Sequence, residues 1–580
     1  MADPVVLNRL DRLPAAEPGA RSRLLWTVAL AASVAGIAGW AVGGVSASVI
    51  GMWAFVVAVV AVALVLPWPY SFVSPLYAGV VGWLVDMLPL LILAAWTAAV
   101  LRWAWSLWRD RRMPRGGRWI WLPIGLFVWT CVGIVPIALA GFEDFKHFLL
   151  LVGIQFVVSG TLLAVVDLFG DVEERAKIVA SLAVFISLLS GAVFLQWIGV
   201  PVESLQDSTA REAAETAYGL DAFPNSIGMI KYARSVDSGA DDLRRRMDSL
   251  SQRVPDLVEY DVFRSRFSAF DGSLIVLFEG SARPHEDTLA ELDIELIYDH
   301  VGLAPSNTVP RMRSFPRNAL TYAGVSVVLF PMMLWLAWSY ARRRRVLGYV
   351  GAASCLYGSG FSLARGSWIA ILIGIVYLLV DGGLPRRRKI QLVAWFLAAA
   401  AVLTGVFLIN YGVDPVSGRA GGDASVRTRQ SLYGDTLDGL SDYHLVTGYG
   451  TERPRLTSDT PRGPGGGDYI PRAGTHSTYL NYAFRAGLIG LIGIMLVYLI
   501  AALSARAGSK AHTGIQRSFA AFATAAVVSA MAHGAILSLY VEPTYTLAVS
   551  LLLGLATVAG GQPELSMLPW RRKRTSRPAV

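Results

Sequence analysis

The chain has 580 residues, of which 54% are hydrophobic and 16% charged, and its formal net charge is +9. Apolar runs of about 20 residues occur throughout, which is the length that a helix needs to cross roughly 30 Å of hydrocarbon. These runs are too long for the strands of a membrane barrel. The composition therefore excludes a water-soluble protein and predicts an all-α polytopic membrane protein with about 12–14 transmembrane helices.

The predicted transmembrane segments follow a polar N-terminal stretch. The segment at 72–85 is short and ends at Asp86, so it is expected to be re-entrant or one arm of a bent helix. We expect the spans at residues 24–43, 48–66, 72–85, 87–107, 119–140, 148–169, 178–199, 319–339, 346–363, 367–381, 390–411, 483–503, 518–538 and 544–560.

Clusters of basic residues indicate the orientation of these spans, because lysine and arginine favour the cytoplasmic side of a membrane. The clusters are Arg109–Arg118, Arg342–Arg345, Arg386–Lys389, Arg506–Arg517 and Arg571–Arg574. If all of them are cytoplasmic, both termini lie inside and two long polar segments lie outside. The positive net charge then reports orientation, and we expect no nucleic-acid partner.

This topology divides the chain into seven segments. They are a cytoplasmic N-terminal tail (1–23), an N-terminal transmembrane bundle (24–199), an extracytoplasmic insert domain (200–318), further transmembrane helices (319–411), an extracytoplasmic catalytic loop (412–482), the C-terminal transmembrane helices (483–560) and a basic cytoplasmic tail (561–580).

The insert domain is expected to be mainly helical. Asp241–Val254 and His285–Leu303 have the helical spacing of apolar residues, and Ser273–Phe278 is the one plausible short strand. In the second outer segment, Val426–Leu440 has the pattern of an amphipathic helix lying over the membrane, ahead of a glycine-rich stretch at Gly463–Gly467.

Three arginines stand out as candidate phosphate ligands. Arg365 lies in a tight turn between two spans, where a charge is costly unless it is paired or reaches the interface. Its other interpretation is an interfacial anchor beside Trp368. Arg427 and Arg429 begin the amphipathic helix, where a phosphate also benefits from the helix dipole, although a solvated charge pair is equally compatible. Guanidinium groups suit bidentate binding of a diphosphate.

His476 precedes a membrane span and is the candidate general base, because an imidazole titrates near neutral pH. A hydrogen-bonding interface residue is the alternative, and His444 competes for the catalytic role. The chain has no Walker loop, dinucleotide fingerprint, or zinc or calcium motif, so we expect neither a metal nor another cofactor.

Four separated motifs lie around these residues. They are Arg313–Asn318, Ala364-Arg365-Gly366, Arg429 with Tyr433 followed by Asp442–Gly450, and His476 with Tyr479 followed by Gly487–Gly490. Together they resemble the O-antigen ligase and O-antigen polymerase superfamily, membrane enzymes that use glycans linked to a polyprenyl diphosphate. The chain departs from the family pattern in having Ser477 where the family usually has asparagine and Arg485 where it usually has glutamate.

The resemblance implies a membrane glycan ligase or polymerase. It would transfer a saccharide from a polyprenyl-diphosphate donor to an acceptor hydroxyl, on the outer face of the bacterial cytoplasmic (inner) membrane, in the assembly of cell-surface polysaccharide. It also implies a metal-independent, inverting glycosyltransferase whose partners are the lipid-linked donor, a glycan or lipid acceptor, and membrane lipids.

The resemblance further implies a role for each site residue. His476 would activate the acceptor hydroxyl. The substrate-binding residues would be Arg313, Arg317, Arg365, Arg427, Arg429, Tyr433 and Tyr479.

Two other functions remain open. A flippase or transporter of lipid-linked saccharide would also need arginines facing a diphosphate, but distributed along a path across the bilayer. A glycosyltransferase with a polyprenyl-monophosphate donor usually has an acidic base in its first outer loop, and Gly43–Ser46 has no carboxylate.

Overall fold

The protein is described by a computed structural model. The described residues are 45–84, 88–115, 119, 121–132, 142–198, 229–235, 245–246, 248–249, 252–253, 259–264, 274–279, 288, 291–300, 319–362, 364–411, 445–446, 448, 477–537, 539 and 542–560.

Helices dominate the described residues. In chain order they are α1 Val45–Val65, α2 Trp68–Leu84, α3 Leu88–Arg109, α4 Trp121–Val132, α5 Phe142–Leu168, α6 Val172–Trp197, α7 Ala319–Ser339, α8 Arg342–Phe361, α9 Arg365–Val380, α10 Arg386–Tyr411, α11 Thr478–Ala511, α12 Gly514–Ile536 and α13 Pro543–Ala559.

Many of these helices are suited to a membrane. Helices α3, α6, α7, α10, α11 and α12 are long and apolar enough to cross one, and α1, α4, α5, α9 and α13 contain shorter apolar stretches. The expected class, an all-α polytopic membrane protein, is confirmed. A helix lies at each expected span from 48–66 onward, including α2 at the short span, whereas the first span at 24–43 lies outside the described residues.

The centre of the bundle is the pair α7 and α8. Almost all of the apolar part of α7 is buried inside the protein. Helix α8 packs closely on it through glycines: a Cβ at Gly348 would overlap the backbone of Ala337, and one at Gly358 would overlap the ring of Tyr322. Helix α10 contributes little to the core, since most of its apolar stretch is exposed. Helix α10 is therefore at the edge of the bundle.

One end of the bundle, which we call the basic end, is joined by ion pairs. Arg344 contacts Glu173 at 2.7 Å, and Arg506 contacts Asp381 at 2.7 Å. Arg112 donates to both carboxylate oxygens of the buried Asp167, at 2.7 and 2.9 Å. This hydrogen bonding raises the pKa of Arg112. These contacts tie the ends of neighbouring helices together at a level where charged groups reach water.

The opposite end of the bundle, which we call the Arg365 end, contains the start of α9, the start of α11, the last turn of α12 and the start of α13. The course of helices α8 and α9 shows that the two ends lie on opposite sides of the bundle. Helix α8 begins beside Arg344 at the basic end and finishes at Phe361, and α9 begins four residues later and returns to Asp381.

Helix α11 is broken near its start. Gly487 has φ 64° and ψ −168°, which residues other than glycine rarely adopt. The break frees backbone groups on both sides, and other segments bond to them. The N–H of Leu488 donates to the carbonyl of Leu445 at 2.7 Å, and the indole N–H of Trp129 donates to the carbonyl of Ala486 at 2.9 Å.

The insert domain contains four described strands, β1 Met229–Ser235, β2 Glu259–Arg264, β3 Leu274–Glu279 and β4 Ile294–His300. Strand β1 pairs antiparallel with β4, and β2 pairs antiparallel with β3. Strand β1 also lies close to β3, and each antiparallel pair forms its own two-stranded sheet.

Among the described residues of the insert, strand residues outnumber helical ones, which differs from the expectation of a mainly helical insert. The expected strand at Ser273–Phe278 is confirmed as β3, and the described residues within Asp241–Val254 are helical. The expected helix at His285–Leu303 is wrong over β4. Apolar residues alternate along β4, and short apolar runs fit either period. The distant strand β1 supplies the backbone partners that decide between the two.

Candidate functional site

The structure describes two of the expected site residues, Arg365 and Tyr479, both at the Arg365 end. The others lie outside the described residues: His476, Arg313, Arg317, Arg427, Arg429 and Tyr433, together with the competing His444. Of Arg485, the structure describes the helical backbone only.

Arg365 is the first residue of α9. Its side chain is exposed, whereas Ala364 and Gly366 on either side are buried. The buried flanks hold the turn against the bundle, and a Cβ at Gly366 would lie 2.7 Å from Cγ2 of Ile536. Glycine therefore allows α9 to start in close contact with the last turn of α12, and this contact sets the level at which the guanidinium leaves the bundle.

The segment that follows His476 is held against the same turn of α12. Thr478 donates its hydroxyl to the carbonyl of Leu537 at 3.0 Å, and Tyr479 donates to the carbonyl of Met531 at 3.0 Å. The Ser477 hydroxyl lies 3.5 Å from the carbonyl of Gly534. Carbonyls at a helix end lack partners within the helix, so the hydroxyls of Ser477 and Thr478 satisfy acceptors that would otherwise be buried unpaired, whereas the carbonyl of Met531 lies one turn earlier in α12.

Ser477 also caps α11. Its backbone is extended, and its side chain accepts from the N–H of Leu480 at 3.5 Å. Serine and asparagine are both strongly preferred at this position. The departure from the family's usual asparagine therefore preserves the cap that starts the helix.

Tyr479, expected to bind substrate, is half-buried with its hydroxyl donated to Met531. Burial raises its pKa to about 12, so the side chain is a neutral donor under physiological conditions. Its contact with substrate stays a prediction.

A histidine that sequence reasoning missed lies beneath this surface. His533 is fully buried in the last turn of α12. Its Nε2 lies 3.3 Å from the hydroxyl of Ser367, and its Nδ1 lies 3.3 Å from the hydroxyl of Tyr545. The sequence could have indicated His533 by its position inside an apolar span, because an ionisable residue is costly there and is often functional.

A residue of the segment at 412–482 also contacts this part of the bundle. Leu445 belongs to the Asp442–Gly450 motif, and its carbonyl accepts from Leu488 next to the break at Gly487. Two of the four motifs are therefore in direct contact, through residues that are 43 positions apart in the chain.

Acidic groups are sparse among the described residues of the Arg365 end. Glu542 is half-buried and immediately precedes α13, with its N–H donated to the carbonyl of Leu539 at 2.9 Å. Within the described part of the chain, no three histidine, cysteine or acidic side chains are grouped as a metal site would require.

Comparison with known families gives a match over part of the chain. Residues 350–495 match the O-antigen ligase family, and no curated protein matches the chain. The match spans Arg365, His476, Tyr479 and the Asp442–Gly450 motif, and it ends before His533. It supports the assignment of the chain to the O-antigen ligase family and indicates a membrane glycan enzyme of the ligase or polymerase type.

Proposed function

We propose that this multi-pass enzyme of the O-antigen ligase family transfers a saccharide from a polyprenyl-diphosphate donor to an acceptor hydroxyl, at the Arg365 end of the bundle. One observation carries the proposal: the turn that presents Arg365 and the segment that follows His476 are both held by the last turn of α12.

Chain connectivity extends this observation to His476. Consecutive Cα atoms are about 3.8 Å apart, so His476 is one peptide unit from Ser477, which contacts Gly534. Gly366 contacts Ile536, two residues further along α12, and it directly follows Arg365. A base and a guanidinium supplied from these two positions suit a reaction at a single bound donor.

The charge at this end favours a diphosphate. Arg365 is exposed at the N-terminus of α9, where the helix dipole adds to the positive charge of the guanidinium. We assign Arg313, Arg317, Arg427 and Arg429 to the same diphosphate, and Tyr433 and Tyr479 to substrate binding. Guanidiniums fixed around the leaving group stabilise the charge that develops there.

The reaction follows from these roles. His476 removes the proton of the acceptor hydroxyl, and the hydroxyl oxygen attacks the anomeric carbon of the donor sugar. A glycosidic bond forms while the bond between that carbon and the diphosphate oxygen breaks. The polyprenyl diphosphate leaves with the electron pair, and the configuration at the anomeric carbon inverts. Because the donor is already activated, the proposed step uses neither a nucleotide nor a metal.

The charges at the two ends of the bundle support one orientation in the membrane. Arg344, Arg506 and Arg112 lie at the basic end. Since basic residues favour the cytoplasmic side, the Arg365 end faces outward in a bacterial cytoplasmic membrane. The acceptor is then a glycan or lipid at the outer surface.

The direct test is glycan transfer by purified enzyme with a lipid-linked donor. Arg365→Ala is expected to lower the rate about 10²- to 10³-fold, as for loss of one charge-stabilising donor. His476→Ala is expected to lower it about 10²- to 10⁴-fold. Arg343→Ala, at an exposed arginine of the basic end, serves as the control and should leave the rate unchanged. Wild-type rates in both site variants would refute the proposal.

A further inference from the structure

His533 joins two helix starts from inside the bundle. Ser367 is in the first turn of α9, two residues after Arg365, and Tyr545 is in the first turn of α13. His533 lies between them, with both of its ring nitrogens at 3.3 Å from a hydroxyl oxygen. The three side chains therefore form a buried chain of hydrogen bonds under the Arg365 end.

The surroundings of this chain exclude a direct chemical role. His533 and Ser367 are fully buried, and Tyr545 is 3% exposed. Both imidazole nitrogens are already occupied, so His533 presents no free nitrogen to a substrate at the surface. A neutral imidazole has one donor and one acceptor, and a hydroxyl on each side can satisfy either tautomer. Leaving any of these groups unpaired would be costly in the apolar interior.

The position of His533 connects the two halves of the proposed site. The next residue, Gly534, accepts from Ser477 on the segment that follows His476. His533 itself bonds to the turn that carries Arg365. One short stretch of α12 is therefore bonded through a backbone carbonyl to one half and through a side chain to the other.

We propose that His533 is a positioning residue. Its hydrogen bond to Ser367 fixes Arg365 relative to the segment that follows His476. This inference rests on the proposed function, since it assigns to Arg365 the binding of the donor diphosphate. His533 acts only through Arg365, so removing its hydrogen bonds weakens diphosphate binding when Arg365 is present and has little effect when it is absent.

The test is a double-mutant cycle on binding of a polyprenyl diphosphate to the full-length enzyme in detergent. His533→Phe keeps a ring but removes both hydrogen bonds, and it should raise the Kd on the order of tenfold. In the Arg365→Ala background the same substitution should change the Kd less than about twofold. Equal effects in both backgrounds would overturn the positioning role.

Two further variants keep the result interpretable. Ser367→Ala removes the bond to α9 alone and should raise the Kd in the same direction, including if His533→Phe does not fold. Thr557→Ala is the control, because Thr557 is fully buried in α13 and, among the described residues, its hydroxyl bonds to the carbonyl of Leu553 in its own helix. An unchanged Kd in Ser367→Ala would count against the inference.

The same cycle separates this inference from the proposed function. Normal diphosphate binding by Arg365→Ala alone would remove the proposed role of Arg365, and the inference with it. Weak binding by Arg365→Ala, combined with an unchanged Kd in His533→Phe, would overturn the inference and leave the proposed function in place.

Discussion

Leu445 and Leu488 are joined by a backbone hydrogen bond of 2.7 Å, which attaches Leu445, from the segment at 412–482, to α11 beside the break at Gly487. The bond exists because the break leaves the N–H of Leu488 without an acceptor in its own helix. Trp129 of α4 bonds to the carbonyl on the other side of the break. The break thus supplies attachment points for two separate segments.

The break requires glycine at position 487. At φ 64° and ψ −168°, a residue with a Cβ is strained by about 1–3 kcal/mol. Gly487→Ala should therefore lower the Tm and slow glycan transfer, because relief of the strain straightens α11 and removes the contact with Leu445. The control is Gly405→Ala in α10, where an added Cβ meets no atom within 4 Å. Equal Tm values for the two variants would contradict this explanation.

The contact between Gly366 and Ile536 can be tested by suppression. Gly366→Ala places a Cβ 2.7 Å from Cγ2 of Ile536, so α9 must move away from α12 and carry Arg365 with it. Transfer should fall. The double variant Gly366→Ala/Ile536→Ala removes the clashing atom and should recover much of the rate. If the double variant is as slow as Gly366→Ala alone, the clash is not the cause.

The basic end depends on Asp167. Its buried carboxylate accepts from Arg112, from the indole N–H of Trp103 and from the backbone N–H of Arg115. Asp167→Ala leaves these donors without their acceptor and should lower the free energy of unfolding by about 2–3 kcal/mol. The matched control is Glu174→Ala, which removes a partly exposed ion pair with Lys177 and should have little effect. Equal effects of the two variants would show that burial of the pair does not matter.

Orientation can be tested with cysteines and a membrane-impermeant maleimide. In a Cys131→Ser background, Ala535→Cys at the exposed Arg365 end should react in intact cells stripped of their outer layers. Arg343→Cys at the basic end should react only after the membrane is permeabilised. Cys355 is buried and should stay silent. The reverse pattern would place the proposed site on the cytoplasmic side.

The membrane helices could be predicted from sequence because each depends on a local property, a run of apolar residues long enough to span a bilayer. Strand β4 could not be predicted in this way, because its partner β1 lies about 60 residues earlier in the chain. Nothing in the sequence between the two strands identifies β1 as the partner. The secondary structure of the insert depends on pairing between distant strands, whereas that of the membrane segments depends on local composition.

The candidate site was predictable only in part, for the same reason. Arg365 could be recognised as a charge in a turn between two spans, and the structure places it at the end of the bundle that also contains the segment following His476. His533 was not recognised, because its partners are brought to it by folding: Ser367 precedes it by 166 residues and lies on another helix. The roles of His476 and of the arginines outside the described residues stay predictions.

The hydroxyls of Ser477, Thr478 and Tyr479 all meet α12 through backbone carbonyls. Every amino acid has such a carbonyl, so substitutions at Met531, Gly534 or Leu537 leave the acceptors in place. These hydrogen bonds therefore do not depend on which side chains α12 carries at the acceptor positions. Correlated substitutions between the two segments would therefore be a poor guide to their contact, even where the contact itself is retained.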